Sequence, residues 1–581
     1  MSEASPAPAE LAQHLSDLIY DGFADYGQRF RAVTQSSRRR FEQRDWLGAQ
    51  QDARERIALY DRVVLEILDQ IRQLLGRQVH AVPLWSTARD CYEARLGSAI
   101  DRELNKTFFN SVSRRLFQTI GVNADIEFAQ TQLGPTDHVT SQPSVLRYPN
   151  AGRLKSICQQ LLADYSLNAP WQDRDRCVDA LADQLAQQLA ASGGQQAIRY
   201  LELIKPHFFR NTRAFLVGRI QLEDTALPLV IALTNESAGV QMEWVTTSAD
   251  EASVVFSYSR SYFHADLETI ADVVLFLCDL LPYKPVEEIY SALGRAKQAK
   301  TERFRGIYRH LKATDDHFEP APGIRGMVMA VFTLAHYPVV FKVIRDRFKP
   351  PKKVTHQDVL DRYHMVYTHN RAGRLVDAQE FRQLRFPLDR FSAEVLEELT
   401  QECGDRVAVV DGQLVLEHVY IERRMEPLNL YLARADAQAQ RRIILDYGQA
   451  IRDLAMTDIF PGDLLLKNFG VSSHGRVIFY DYDELCSLEE CRFRQVPRAR
   501  YEFEELGSEV WYEVAPEDVF PEQFPSFLGL NAEQLVIFRE SHADLLTAEF
   551  WNNLKARIAA GEVLDVAPFG QPLQRVSPGS E

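Results

Sequence analysis

The chain of 581 residues is 46% hydrophobic and 25% charged, with 66 Lys and Arg against 81 Asp and Glu, a formal charge of −15. That length is too great for one hydrophobic core and implies roughly two to four domains, and the composition is neither that of a disordered chain nor of a low-complexity one. The acidic balance argues against a nucleic-acid partner, which would call for a basic face to displace phosphate counterions.

Residues 1–10 read as a flexible N-terminus without the basic start and apolar core of a signal peptide, and no apolar run reaches the length of a membrane span. The expectation is a cytoplasmic protein with no membrane contact. The cysteines (Cys91, Cys158, Cys177, Cys278, Cys403, Cys486 and Cys491) are scattered and odd in number. They suggest reduced thiols rather than a disulfide framework or a structural zinc site.

Residues 11–318 read as one mostly helical domain: the stretch 54–71 spaces its apolar residues at helical period. The runs 214–220, 227–233 and 252–258 read as strands of a small sheet, and 266–281 returns to helix. The Pro- and Gly-bearing segment 315–323 is turn chemistry and marks a boundary. A second unit, 319–425, follows with Gly323 and Gly326, a strand over 338–344 bearing Lys342, a helix that Thr355 can cap, and a hairpin turning at Asp411-Gly412. This is the element order of a kinase small lobe.

Residues 426–567 read as the matching large lobe. A long helix places Ile443, Tyr447, Ala450, Ile451, Leu454 and Ala455 on one face, a polar loop follows Pro461-Gly462, and an apolar strand over 476–480 delivers Asp481. Residues 568–581 read as a frayed tail. The fold class expected is α+β: a bilobal protein-kinase-like domain preceded by a mainly α-helical domain containing a small β-sheet.

Phosphoryl transfer requires metal ions and cations around the triphosphate and a carboxylate to receive the proton of the attacking hydroxyl. Asp463-Leu-Leu-Leu-Lys-Asn468 is an Asp-x4-Asn loop, and Asp481 follows Asn468 by 13 residues, the arrangement of a kinase catalytic loop and metal aspartate. Asp463 is then the catalytic base, and Asn468 and Asp481 hold Mg2+. Lys467 lies four residues after Asp463 instead of two, which leaves its contact with phosphate open. Lys342 would steady the α- and β-phosphates of ATP, although a lone strand lysine is usually just solvated. Gly323-Ile-Arg-Gly326 is a partial glycine signal given weight by its place upstream of Lys342. Pro461-Gly462 stands where kinases carry His-Arg, Tyr482-Asp483 replaces Phe-Gly, and no helix glutamate stands out as a partner for Lys342.

The stretches Thr107-Phe-Phe-Asn-Ser-Val, Ala321-Pro-Gly-Ile-Arg-Gly-Met-Val-Met, Tyr420-Ile-Glu-Arg-Arg-Met, Asp463-Leu-Leu-Leu-Lys-Asn-Phe-Gly and Phe479-Tyr-Asp-Tyr-Asp-Glu make the chain resemble the bacterial isocitrate dehydrogenase kinase/phosphatases along nearly its full length. The resemblance implies that the N-terminal domain is regulatory. It also implies that isocitrate dehydrogenase is the protein partner, reversibly phosphorylated on one serine to control carbon flux between the tricarboxylic acid cycle and the glyoxylate bypass. It further implies that Ala321, Pro322, Gly323, Ile324, Arg325, Gly326, Met327 and Lys342 bind ATP, that Asp377 is an active-site residue although spacing alone reads it as a surface carboxylate, and that AMP is an allosteric effector. A homodimer is left open.

Two literal phosphatase motifs are set aside. Cys486-x5-Arg492 has the spacing of cysteine phosphatases, but Glu489 and Glu490 would repel the anion. Asp481-Tyr-Asp483 matches an aspartate-nucleophile motif, whose fold needs βα units that the remaining chain does not show. One cleft is expected to run both reactions with ATP, ADP and Mg2+, Asp483 helping to orient water. The rival readings are a small-molecule kinase and a nucleotide-sensing pseudokinase.

Overall fold

The computed structural model describes residues 7–97, 101–129, 144–150, 152–191, 198–257, 262–350, 352, 354–369, 371–497 and 512–569. Most of the expected N-terminal segment 1–10 and of the tail 568–581 therefore lies outside the described residues. Among those residues no helix is long and apolar enough to cross a membrane.

The chain opens with two long antiparallel helices, α1 (Pro8–Gln43) and α2 (Trp46–Leu75), followed by α3 (Val82–Leu96) and α4 (Arg102–Phe117). Their shared core includes Leu15, Ile19, Val63, Ile67, Trp85, Tyr92, Phe108 and Phe109. Gly22 permits the close approach of α1 to α2: a Cβ there would stand 2.5 Å from Cδ1 of Ile67.

An antiparallel sheet follows, in the order β1 (Val145–Pro149), β2 (Tyr200–Ile204), β4 (Arg213–Gln221), β5 (Ala226–Glu236), β6 (Gly239–Thr246), with β3 (Phe208–Arg210) paired to β4. Both faces are covered, which is why its strands read as unbroken apolar runs. Ala214, Leu216 and Ile220 of β4 face α5 (Leu154–Asp164) and α6 (Arg174–Ala191). The alternate residues Phe215 and Val217 face α7 (Ala249–Val255), α8 (Ile270–Leu280) and α9 (Val286–Ala292).

The run 252–258, expected as a strand, is helical through Val255. Ser248 caps α7 by accepting from the backbone N–H of Glu251, and Asp250 and Glu251 occupy the first turn. Capping and the N-terminal carboxylates outweigh the strand preference of Val254 and Val255.

Helix α10 (Ala296–Ala313) joins the two halves of the chain: Ala299 packs in the core beneath the first sheet, Ile307 and Leu311 in that of the second. The second sheet is antiparallel, ordered β10 (Gln379–Pro387), β12 (Gln413–Arg423), β9 (Val339–Ile344), β8 (Met329–Leu334), β7 (Phe318–Pro320), with β11 (Val407–Val410) on β12. The turn between β11 and β12 holds Asp411 and Gly412 at φ 51° and 71°, the two positive values that a two-residue hairpin requires. Between β9 and β10 runs α11 (His356–His369), where the Thr355 hydroxyl accepts from Asp358 N–H at 3.2 Å. Helix α12 (Ala393–Glu402) lies against β7 and β8.

The large lobe is built on α13 (Leu428–Arg434) and α14 (Ala437–Met456), whose apolar face is buried as its spacing requires. A small antiparallel sheet of β13 (Glu426–Pro427), β14 (Phe469–Val471) and β15 (Val477–Phe479) lies beside them.

Arg374 locks this lobe together. Its buried guanidinium bonds Asp453 at 2.7 Å and Asp446 at 2.8 Å on α14, and donates to the carbonyl of Val477 at 3.1 Å. Arg374→Ala should lower stability in denaturant titration by about 3–5 kcal/mol, the range for stranding a buried charge, and should broaden the fold's transition around β15.

Candidate active site

The alternation of β9 decides where Lys342 points. Phe341 and Val343 belong to the outer core of the small lobe, whereas Ile344 belongs to the core shared with the large lobe. Lys342 shares that inward face. It is buried, and its ammonium lies 2.8 Å from Glu422 and donates to the carbonyl of Tyr480 at 2.7 Å.

Glu422 on β12 is the partner that sequence reasoning did not find. It stands opposite Val340 in the β12–β9 ladder, two residues before Lys342, so the pair meets on the sheet diagonal. Helix α11, which follows the lysine strand, offers Tyr363 instead of a carboxylate, and that ring stacks on Tyr420 with centroids 3.9 Å apart. Burial pushes the Glu422 carboxyl up, against the pull of Lys342.

Asp463 begins the loop after α14, and its carboxylate accepts from Leu465 N–H at 3.0 Å. The Asn468 side chain donates to the Asp463 carbonyl at 3.3 Å, and the Asn468 carbonyl accepts from Tyr480 N–H at 3.1 Å. The loop is thus closed on itself and pinned at its Asn468 end to the segment that delivers Asp481. Phe469 pairs with Phe479, and the Tyr480 hydroxyl donates to the Lys467 carbonyl at 2.5 Å.

These groups converge. Burial pushes the Asp481 carboxyl up; the cations of Lys342, Lys352 and Lys467 oppose that rise, and Asp463 adds to it. Asp483 is pushed up to about 8, first by burial and then by Asp481. Lys352, in the run Lys349-Pro-Pro-Lys-Lys, carries no motif that singles it out in the sequence. Its ammonium lies 2.7 Å from Glu484. Although partial burial works against the charge, Glu484, Asp483 and Asp481 hold its pKa above the ordinary value.

The segment of Ala321, Pro322, Gly323, Ile324, Arg325, Gly326 and Met327 links β7 to β8 and is largely exposed. Gly323 has φ 115°, and a Cβ there would lie 3.3 Å from Pro427, in the connector between the lobes. The Gly326 carbonyl accepts from Arg345 at 3.2 Å, and Arg325 pairs with Glu394. The loop therefore spans the small-lobe side of the cleft, its backbone anchored at the Met327 end.

Asp377 stands apart from this cluster. Its carboxylate accepts from Ser291 at 3.2 Å and Gln379 at 3.1 Å, and it lines a cavity between the two halves with Arg303, Arg423, His474 and Arg476. It connects with the cleft through the neighbouring Val376, whose carbonyl accepts the Tyr482 hydroxyl at 2.9 Å.

A metal ion fits the donor set. Oδ1 of Asp483 is buried without a hydrogen-bond partner among the described residues. The Asn468 amide nitrogen is committed to Asp463, leaving the side-chain oxygen as a candidate ligand. Among the described residues no three His, Cys, Asp or Glu side chains form a metal cage, and Mg2+ ordinarily takes one or two carboxylates and completes its shell with phosphate and water.

Neither literal phosphatase motif survives in three dimensions. Arg492 is exposed and pairs with Asp518, away from Cys486. The strand before Asp481 belongs to an antiparallel sheet of three, not a parallel βα array.

A buried strand lysine, an Asp-x4-Asn loop and a strand-end aspartate meeting between two lobes define a divergent protein-kinase-like phosphotransferase domain. Comparison with known families assigns residues 316–571 to the isocitrate dehydrogenase kinase/phosphatase (AceK) kinase domain and residues 16–315 to the regulatory domain of the same family. The isocitrate dehydrogenase kinase/phosphatase of Xanthomonas euvesicatoria pv. vesicatoria is 44% identical over 568 residues, covering 97% of this chain and 98% of its own. That of Anaeromyxobacter sp. strain Fw109-5 is 44% identical over 574 residues, 99% of this chain and 100% of its own. The chain belongs to the isocitrate dehydrogenase kinase/phosphatase family.

Because Glu422 is the counter-charge of Lys342, Glu422→Gln should lower kcat/KM for ATP by about 10- to 100-fold, the loss expected for a charge-assisted hydrogen bond of about 1.5–3 kcal/mol. Steady-state kinetics on the purified variant, with circular dichroism as the control for folding, checks this.

Proposed function

We propose that this protein is a cytoplasmic bifunctional enzyme that phosphorylates and dephosphorylates a serine of isocitrate dehydrogenase, both reactions running in the one cleft between the kinase-like lobes. The observation that carries the reading is that Lys342, bonded to the Tyr480 carbonyl beside Asp481, together with Asp463 and Lys467 lies close enough to act on the Asp481 carboxyl. The family supplies the protein substrate, as the relatives' name states.

In the forward reaction Lys342, held by Glu422, steadies the α- and β-phosphates of ATP, and the backbone of the 321–327 loop covers them. Asp463 receives the proton of the serine hydroxyl. Asn468 and Asp481 would hold magnesium, which when bound neutralises charge building on the transferring phosphoryl group. In the reverse reaction, with ADP, Asp483 orients water toward the phosphoserine. Burial and the Asp481 charge push its carboxyl up, and its oxygens can hydrogen-bond to water.

AMP is assigned as the effector and the interdomain cavity as its seat: Arg303, Arg423 and Arg476 suit a phosphate, and the cavity wall is shared by both halves. Asp377 acts from this junction, and the Val376–Tyr482 bond carries its influence to Asp481.

Incubation with labelled ATP, magnesium and isocitrate dehydrogenase should place label on the dehydrogenase, and subsequent ADP should remove it. Label in a small metabolite, or none, would overturn the reading. The double variant Lys342→Ala, Asp463→Ala should lose at least about 10²–10³-fold in both directions. Retained phosphatase turnover in that variant would show two separate centres.

A further inference from the structure

Cys486 and Cys491 lie just beyond Asp481 and Asp483, and their sulfurs are 3.5 Å apart. Both are free thiols, Cys486 half-buried and Cys491 buried. The turn between them is tightly held: Glu490 N–H donates to Ser487 O and Cys491 N–H to Leu488 O, both at 3.2 Å. The thiol–thiol contact, with help from Arg362, holds the Cys486 thiol below its usual range against burial and the charge of Glu490, and the same contact together with burial pushes Cys491 up. Cys486, the less buried of the two and close to the Arg362 guanidinium, is the thiol a hydroperoxide reaches first, and buried Cys491 is the resolving thiol.

Cys486 is also part of the scaffold beneath the catalytic loop. Its N–H and carbonyl both pair with Phe460, at 3.0 and 2.8 Å, and Leu488 N–H donates to Asp458 at 3.1 Å. Phe460 is three residues ahead of Asp463.

We propose that Cys486 and Cys491 form a redox modification site that closes to an intrachain disulfide on exposure to hydroperoxide and slows phosphoryl transfer by displacing the support of the Asp463 loop. The Cys486 thiolate attacks one oxygen of hydrogen peroxide, the O–O bond breaks, and the departing hydroxide takes a proton to leave as water. The resulting sulfenic acid is attacked by Cys491; the S–S bond forms, and the second hydroxyl leaves with the Cys491 proton as water. Two thiols have then supplied the two electrons that reduce one peroxide to two waters. The sulfurs must close from 3.5 Å to about 2.05 Å, a shift that the paired backbone of Cys486 passes to Phe460. In reducing compartments such bonds are characteristically transient and sensory.

The effect on turnover rests on the reading of Asp463 as base; the sulfur chemistry does not. The reduced full-length enzyme is treated with hydrogen peroxide, and both the peptide mass and phosphate transfer to isocitrate dehydrogenase are measured. The expected result is loss of two hydrogens from the peptide spanning both cysteines, a fall in turnover of about 10- to 100-fold, as misplacement by about 1 Å produces, and recovery with dithiothreitol. Cys491→Ser and Cys491→Ala should keep basal turnover, form no disulfide and lose the dithiothreitol-reversible inhibition. Both thiols still open to alkylation after peroxide, a disulfide without change in turnover, or an unchanged reversible inhibition in the Cys491 variants would each overturn the proposal. A reduced wild-type enzyme that transfers no phosphate would instead overturn the reading of Asp463, with the mass measurement still deciding the disulfide.

Discussion

The ion pair of Lys342 and Glu422 is the constraint on which the cleft depends. An ammonium buried on the inner face of a sheet persists only with a counter-charge in reach. Here the counter-charge comes from the adjacent strand, at a distance set by the ladder rather than by the swing of a helix. The lysine head is also tied to the Tyr480 carbonyl, so one side chain joins the small-lobe sheet to the segment bearing Asp481. In many kinases the helix after the lysine strand must move inward to complete the pair. In this protein the pair stands complete without that motion, and α11 contributes Tyr363 to the core between the lobes.

The same strand, β12, also meets the N-terminal half of the chain. Arg303 of α10 is buried and donates to the carbonyls of Ile421 and Asp377, at 3.2 and 3.4 Å. Ile421 immediately precedes Glu422. Arg423, on its other side, pairs with Glu288 of α9 at 3.1 Å. The strand that supplies the counter-charge of Lys342 is thus gripped on both flanks by groups from the regulatory half, and the interdomain cavity is lined by Arg303 and Arg423.

What the sequence revealed was local. The Asp411-Gly412 hairpin, the Thr355 cap, the amphipathic face of α14 and the loop from Asp463 to Asn468 each depend on spacing within one or two elements, and the structure has each of these elements in place. Glu422 could not be read, because its partnership is a diagonal in a ladder between distant strands, and nothing near it distinguishes it from a solvated carboxylate. Lys352 could not be read either, because its partner Glu484 lies 132 residues away in the chain. The run 252–258 failed where β-branched residues outvoted a capping serine upstream. The sequence could place Asp377 in the site only by resemblance, and its position at the junction emerges only when α9 and β10 are brought together.

Helix α10 has 18 residues and so runs about 27 Å at 1.5 Å per residue, beginning under one sheet and ending under the other. Its Ile307 and Leu311 belong to the kinase-like core, though they precede the first strand of that lobe. A catalytic half cut at its own first strand would expose its hydrophobic interior where Ile307 and Leu311 now sit, so the two halves share a structural element that neither can give up.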